Sequence, residues 1–181
     1  MFDYKKFEND LVAAMENTLR NWAEEYDDLY ILSLDCARDM TSVGFIANTQ
    51  QHLEEEADAD DEDYWYYKYC EDEWELFEAG GQAKEISIYM KQYIEENDVR
   101  FTNPDTFEFT EEFEAHCDQM IDACEQAVRR LRQSVHQDFP KLLLAFNIRE
   151  YLDAEARAVF FASVNNKEAS QEYAAHLEDF E

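Results

Sequence analysis

The sequence predicts an α+β fold, helix-dominated, in which several amphipathic helices pack on a small and mainly antiparallel sheet. Three observations lead there. Long runs carry apolar residues at alternating spacings of three and four; three short segments are instead dense in strand formers; and 181 residues, 46% of them apolar, suffice for one core. A single globular domain over residues 1–181 follows, with no internal repeat and no linker long enough to divide it.

The elements can be justified in order. Over residues 4–26, Phe7, Leu11, Met15 (or Ala14), Thr18, Trp22 and Tyr26 fall on one helical face. That face can serve the core or a dimer equally well. LYILSLDC at 29–36, the polar ARDM and TSVGFIA at 41–47 read as two strands around a short turn, an antiparallel hairpin. Residues 54–78 then hold thirteen acids, one lysine and seven aromatics. A loop is expected first, then a helix with an aromatic face that ends near Gly80 and Gly81, since paired glycines suit a helix C-terminus.

A further helix is predicted over 82–97, with Ala83, Ile86, Met90 (or Tyr89), Tyr93 and Ile94 on one side, and Asn103 and Pro104 break the chain after it. The longest periodic run spans 110–136 through Phe113, Cys117, Met120, Cys124, Ala127 and Leu131. Glu111 and Glu112 at its start, with Arg129, Arg130 and Arg132 near its end, complement the helix dipole. After Pro140, KLLLAFNI at 141–148 is continuously apolar and reads as a central strand buried on both faces. Residues 153–164 read as helix, and Ala169, Tyr173, Leu177 and Phe180 suggest a short terminal one.

Charge narrows the partners. A formal net charge of −29 repels phosphate backbones and anionic lipid, which excludes ordinary nucleic-acid and membrane-surface binding and leaves a basic protein as the natural complement. No window approaches the roughly 20 apolar residues of a membrane span. The first 22 residues contain acids and lack the apolar core of a signal peptide, so a cytoplasmic location is expected. Cys36, Cys70, Cys117 and Cys124 read as reduced and structural.

Chemistry is harder to find. Gly44, Gly80 and Gly81 are the only glycines, so neither a phosphate-cradling loop nor a dinucleotide fingerprint can be written. DADDED at 58–63 invites a calcium reading, but an EF-hand beginning at Asp58 would place Asp63 where glycine belongs and Tyr69 where the bidentate glutamate belongs. His116, Cys117 and Cys124 could suggest zinc; without a CxxC pair or HxxxH partner, core packing is the better account. His52, His116, His136 and His176 stand outside any recognisable catalytic motif, and 44 acids guarantee spurious carboxylate pairs. No catalytic residue, metal site or cofactor is assigned.

The residues 54–78 therefore carry the functional expectation. Asp58, Asp60, Asp61, Glu62 and Asp63 would steer or pair with Lys and Arg of a partner, while Trp65, Tyr66 and Trp74 would supply contact area. At least half of the seven aromatics should turn inward, as aromatics on a helix commonly pack.

LYILSLDC followed by GFIANT, then YYKYCEDEWELFE, and later LLLAFNI with a helix ending in SVN, together resemble the bacterial domain-of-unknown-function 4303 family, from the first helix to about Asn165. The resemblance implies a small cytoplasmic protein of the sort associated with immunity and contact-dependent toxin systems, and it carries over no catalytic residue. The density of acid at 54–63 departs from the family pattern and would tune partner choice rather than fold. The function expected first is an immunity protein that binds and neutralises a cognate, basic toxin. An acidic nucleic-acid mimic that blocks a DNA-binding protein, and an enzyme with an unrecognised carboxylate site, are the alternatives.

Overall fold

The computed structural model describes residues 1–106, 108–148 and 151–177. It is α+β, with a four-stranded mixed sheet in the order β3-β2-β1-β4. Strands β1 (Leu29–Cys36) and β2 (Val43–Thr49) form the expected antiparallel hairpin, Leu34 opposite Phe45. β3 (Leu76–Glu78) extends it antiparallel to β2, and β4 (Leu143–Ile148) lies parallel to β1, with Leu34 beside Phe146.

Side-chain alternation divides the sheet into two faces. Leu32, Leu34, Cys36, Phe45, Ala47, Leu144, Phe146 and Ile148 turn to the larger core, shared with α1 (Tyr4–Glu25), α4 (Gly81–Glu96) and α6 (Glu111–Val135). α1 buries Phe7, Leu11, Ala14, Met15 and Leu19 there, and α6 buries Phe113, Cys117, Met120, Cys124, Ala127 and Leu131. Ile31, Ile46, Leu143 and Ala145 point the other way, into a second core with Tyr69, Trp74, Phe161 of α7 (Ala154–Val164) and Tyr173 of α8 (Lys167–Ala175). Side-chain caps start several helices: Asp3 accepts from Lys6 N at 2.9 Å, Asp153 from Ala156 N at 2.8 Å and Asn166 from Ala169 N at 3.0 Å.

Several expectations are corrected. β4 is an edge strand rather than a central one, because its apolar run reports coverage of both faces and not its place in the sheet order. Its outer edge is closed by side chains: Asn165 Nδ2 donates to Leu144 O at 2.7 Å, its Oδ1 accepts from Leu144 N at 2.9 Å, and Arg132 Nη2 donates to Leu142 O at 2.5 Å. The aromatic helix expected to run on to Gly80 is the short α3 (Tyr64–Tyr69), followed by a 3-10 turn, Glu71–Glu73, and then β3. Gly80 and Gly81 open α4 instead of ending a helix; Gly81 takes φ +43°, where a Cβ would be strained. Acids 54–56 belong to a helix, α2 (Gln50–Glu56), and α5 (Asp98–Phe101) precedes the turn at Asn103 and Pro104. Phe180 lies outside the described residues. No helix among the described residues is long and apolar enough to cross a membrane.

The second core contains a polar centre. Glu71 accepts from Ser33 of β1 at 3.3 Å, from Asn147 of β4 at 3.5 Å and from Arg157 of α7 at 3.4 Å, all four residues being buried. The centre fixes the turn after the acidic stretch to the sheet and to α7. In the larger core, His116 replaces what would otherwise be an apolar side chain. Its ring lies parallel to Phe101 at 5.4 Å, meets Phe2 at 5.3 Å and Tyr93 at 5.1 Å, and keeps Nδ1 at 2.7 Å from the Tyr4 hydroxyl. Thus one imidazole joins α1, α4, α5 and α6.

Removing one partner of a buried pair is strongly destabilising, so Arg157→Ala should lower unfolding free energy by about 3 kcal/mol in urea titrations; a loss below about 1 kcal/mol would show that the pair holds nothing. Burial pulls the His116 pKa down from 6.5 to about 4. The unfolded chain then binds a proton that the folded one refuses between those values, so His116 takes nothing from stability above pH 6.5 and removes up to about 3 kcal/mol as pH falls toward 4. Urea unfolding at pH 7.5 and 4.5 should show a smaller loss in His116→Phe than in the wild type; equal losses would assign the acid sensitivity to other groups.

Candidate functional site

The acidic segment grows from the end of β2. The Thr49 hydroxyl caps α2 by accepting from His52 N at 3.1 Å and donates to the Glu75 carboxylate. Within α2 only Leu53 is buried, so the helix lies on the protein with its acids outward. Gln50 and Gln51 donate to Glu54 at 3.1 Å and Glu55 at 2.8 Å, each one turn along. Buried Ala57 then pins the start of the loop.

The loop at 57–63 is a hydrogen-bonded turn. Asp58 N donates to Asp61 Oδ2 at 2.9 Å, Asp61 N returns to Asp58 O at 2.9 Å, and Tyr64 N closes on Asp61 O at 3.3 Å. Such local bonding is what short acidic side chains favour over a helix. Eight carboxylates between 54 and 63 face solvent. Among the described residues, none of the eight pairs with a lysine, arginine or histidine. Among the described residues, too, no three metal-ligating side chains converge.

α3 follows immediately and is held from beneath. The Trp65 ring stacks on His176 at 4.1 Å with 17° between planes. Lys68, the lone cation of the stretch, bends over Trp65 at 5.0 Å, Tyr69 at 5.4 Å and Tyr64 at 5.6 Å, and pairs with Glu172 of α8 at 2.6 Å. The Tyr69 hydroxyl donates to the same carboxylate; burial, and then that bond, push its pKa far up. Tyr30 of β1 donates to Lys68 O at 2.8 Å. Tyr66 donates to Glu73 at 2.9 Å, a bond that raises its pKa and ties α3 to the next turn.

The structure therefore brings Asp58, Asp60, Asp61, Glu62 and Asp63 together on one exposed loop, with half-buried Trp65 and Tyr66 directly after it. Trp74 stands apart. It is only 8% exposed and packs in the second core, with Nε1 lacking a partner among the described residues, so its area serves the fold. Sequence reasoning missed Lys68, Glu172 and His176, which set the posture of α3. Lys68 carried a signal, as the one cation among thirteen acids, but the carboxylate it pairs with lies about a hundred residues away. His116, Cys117 and Cys124 are core residues in three dimensions.

The arrangement offers an electrostatic surface: fixed negative charge beside aromatic edges, on a segment clamped to β1 and α8. Neither a curated protein nor a solved structure matches the chain. The family model of the domain of unknown function DUF4303 matches residues 7–166, from the first turn of α1 to the residue that caps α8. With that much of its length matched, the chain belongs to the DUF4303 family.

Proposed function

We propose that this protein is an inhibitor of the immunity-protein kind, which binds a basic bacterial toxin and uses residues 57–63 and the half-buried aromatics of α3 as part of its contact surface. One observation carries the reading: eight solvent-facing carboxylates stand side by side without a cation partner among the described residues, on a helix end and a turn that are already ordered. Like charges so placed repel one another, and the repulsion is relieved by a partner that brings lysines and arginines. Steering by such a surface lifts association toward about 10⁸ per molar per second at low salt. An ordered turn also leaves less conformational entropy to lose on binding. Trp65 and Tyr66, partly exposed and anchored, supply the short-range area that steering lacks.

The reading expects a secreted protein with a basic C-terminal domain to be encoded beside this one, and that domain is the partner used in the test. Lysine substitution of Asp58, Asp60, Asp61, Glu62 and Asp63 should slow association at least about tenfold at low salt and flatten its salt dependence, with dissociation little changed. Trp65→Ala should act the other way, on dissociation. Unchanged association of the five-lysine variant would remove the acidic loop from the mechanism. Competition by unrelated duplex DNA for one shared protein target would support nucleic-acid mimicry instead.

A further inference from the structure

A second feature lies at the β4 edge, on the other side of β1 from the strand that feeds the acidic loop. Here the end of α6, the start of β4 and the junction of α7 with α8 surround a cavity of about 540 Å³. Its wall includes Leu142, Leu143, Val164, Gln133, His136 and Arg132. A volume of this size lies within the range, about 300 to 1,000 Å³, in which proteins hold small molecules.

Arg132 makes the cavity chemically distinctive. Its guanidinium is fixed by three bonds, from Nε to Val164 O at 2.9 Å and from Nη2 to Leu142 O at 2.5 Å and to Asn165 Oδ1 at 3.0 Å. All three acceptors are neutral. Among the described residues no carboxylate pairs with Arg132, although the chain has 44 acids and 15 lysines and arginines. By contrast Arg129 pairs with Glu125 and Arg130 with Glu8, three and two residues away along the same helix. Nη1 has no hydrogen-bond partner among the described residues and is not enclosed. Burial lowers the pKa of the guanidinium, the sign of a cation whose lost hydration no neighbouring charge replaces.

We infer that this cavity binds a small organic anion, a carboxylate or phosphate monoester on an apolar body, with the charge at Arg132 Nη1 and the body against Leu142, Leu143 and Val164. A guanidinium held rigid and partly desolvated gives a charge-assisted bond at small entropic cost. The opening turn of α8, with Asn166 at the rim, adds a favourable dipole for negative charge. The apolar wall selects against hydrated inorganic ions. The site stands apart from the acidic loop and does not depend on the toxin-binding reading.

The probes are benzoate, phenyl phosphate, inorganic phosphate and neutral benzamide, titrated into the purified protein by calorimetry and followed by amide chemical shifts. Benzoate or phenyl phosphate should bind with Kd below about 1 mM and move the signals of Arg132, Val164, Asn165 and Asn166, with benzamide and inorganic phosphate at least about tenfold weaker. Gln133→Glu changes an exposed position that takes no part in the Arg132 staple, and should weaken the organic anions at least about tenfold while leaving the unfolding midpoint in place. Arg132→Lys should abolish binding, with folding checked by circular dichroism. Absence of binding by both organic anions up to about 10 mM, equal binding of benzamide, or wild-type affinity in Gln133→Glu would each overturn the assignment.

Discussion

Positive charge is scarce in this protein, and the architecture follows from where that scarce charge is placed. With 44 acids against 15 lysines and arginines, most carboxylates can have no ion-pair partner and must keep their water. The chain nevertheless draws several cations inward. Arg157 meets Glu71 beneath the sheet, Lys68 joins Glu172 between α3 and α8, Arg130 reaches Glu8 between α6 and α1, and Arg132 binds the carbonyls at the β4 edge. The first three link elements far apart in sequence, and Arg132 ties the end of α6 to the strand that follows it. Surface pairs contribute little to stability, so cations have more structural effect inside than they would as neutralisers of a loop. Local repulsion in residues 54–63 is the consequence, tolerated because that segment is held by α2 and Ala57 on one side and by α3 on the other.

The legible parts of the fold are those where one local period decides the outcome. The six buried positions of α1 and the ten of α6 repeat at helical spacing because each helix lays one stripe on the larger core. The hairpin β1–β2 was legible for a related reason, with strand-forming side chains on both sides of a short polar turn. β4 shows where the signal ends. Its apolar run is the same for a central strand and for an edge strand whose outer side is closed, and the closure comes from Asn165 and Arg132, which no periodicity ties to Leu144. Asn165 falls in the SVN that contributed to the family resemblance, so one of the soft matches turns out to be a structural plug. β3 is only three residues long, too short for a period, and Gly81 has its positive φ at a helix start, where glycine is less usual than at an end.

The candidate site was legible in its charge and not in its posture. Solvation alone dictates that Asp58, Asp60, Asp61, Glu62 and Asp63 face water. Composition cannot say which aromatics follow them outward, because Trp and Tyr serve cores and interfaces with the same ring. Trp74 went to the sheet since Glu71, three residues before it, is drawn to Arg157 and carries the turn inward. Trp65 stays half-buried, its ring held by His176 and Lys68, because the acidic loop ends just before it. The three arginines near the end of α6 illustrate the same limit. Read along the helix they complement one dipole; around it they diverge to Glu125, Glu8 and the β4 edge, and among the described residues the third is the one that pairs with no carboxylate.

On the proposed reading, binding and folding are coupled through the same repulsion. A partner that supplies cations to residues 54–63 binds the folded chain, in which eight carboxylates are gathered, better than the unfolded one, in which they are spread over a flexible segment. The gain is largest where the gathering is most rigid, which is the turn closed by Asp58 and Asp61. Steering charge and ordered backbone thus work together, the first raising the rate of encounter and the second limiting the entropy lost on contact. Neither confers selectivity among basic proteins. Selectivity must come from groups with shape, and next to the loop those are Trp65 and Tyr66, whose angle to the surface is set by His176, Lys68 and Glu73. On that reading, a substitution in α8 that never touches the partner alters recognition by changing how α3 is held.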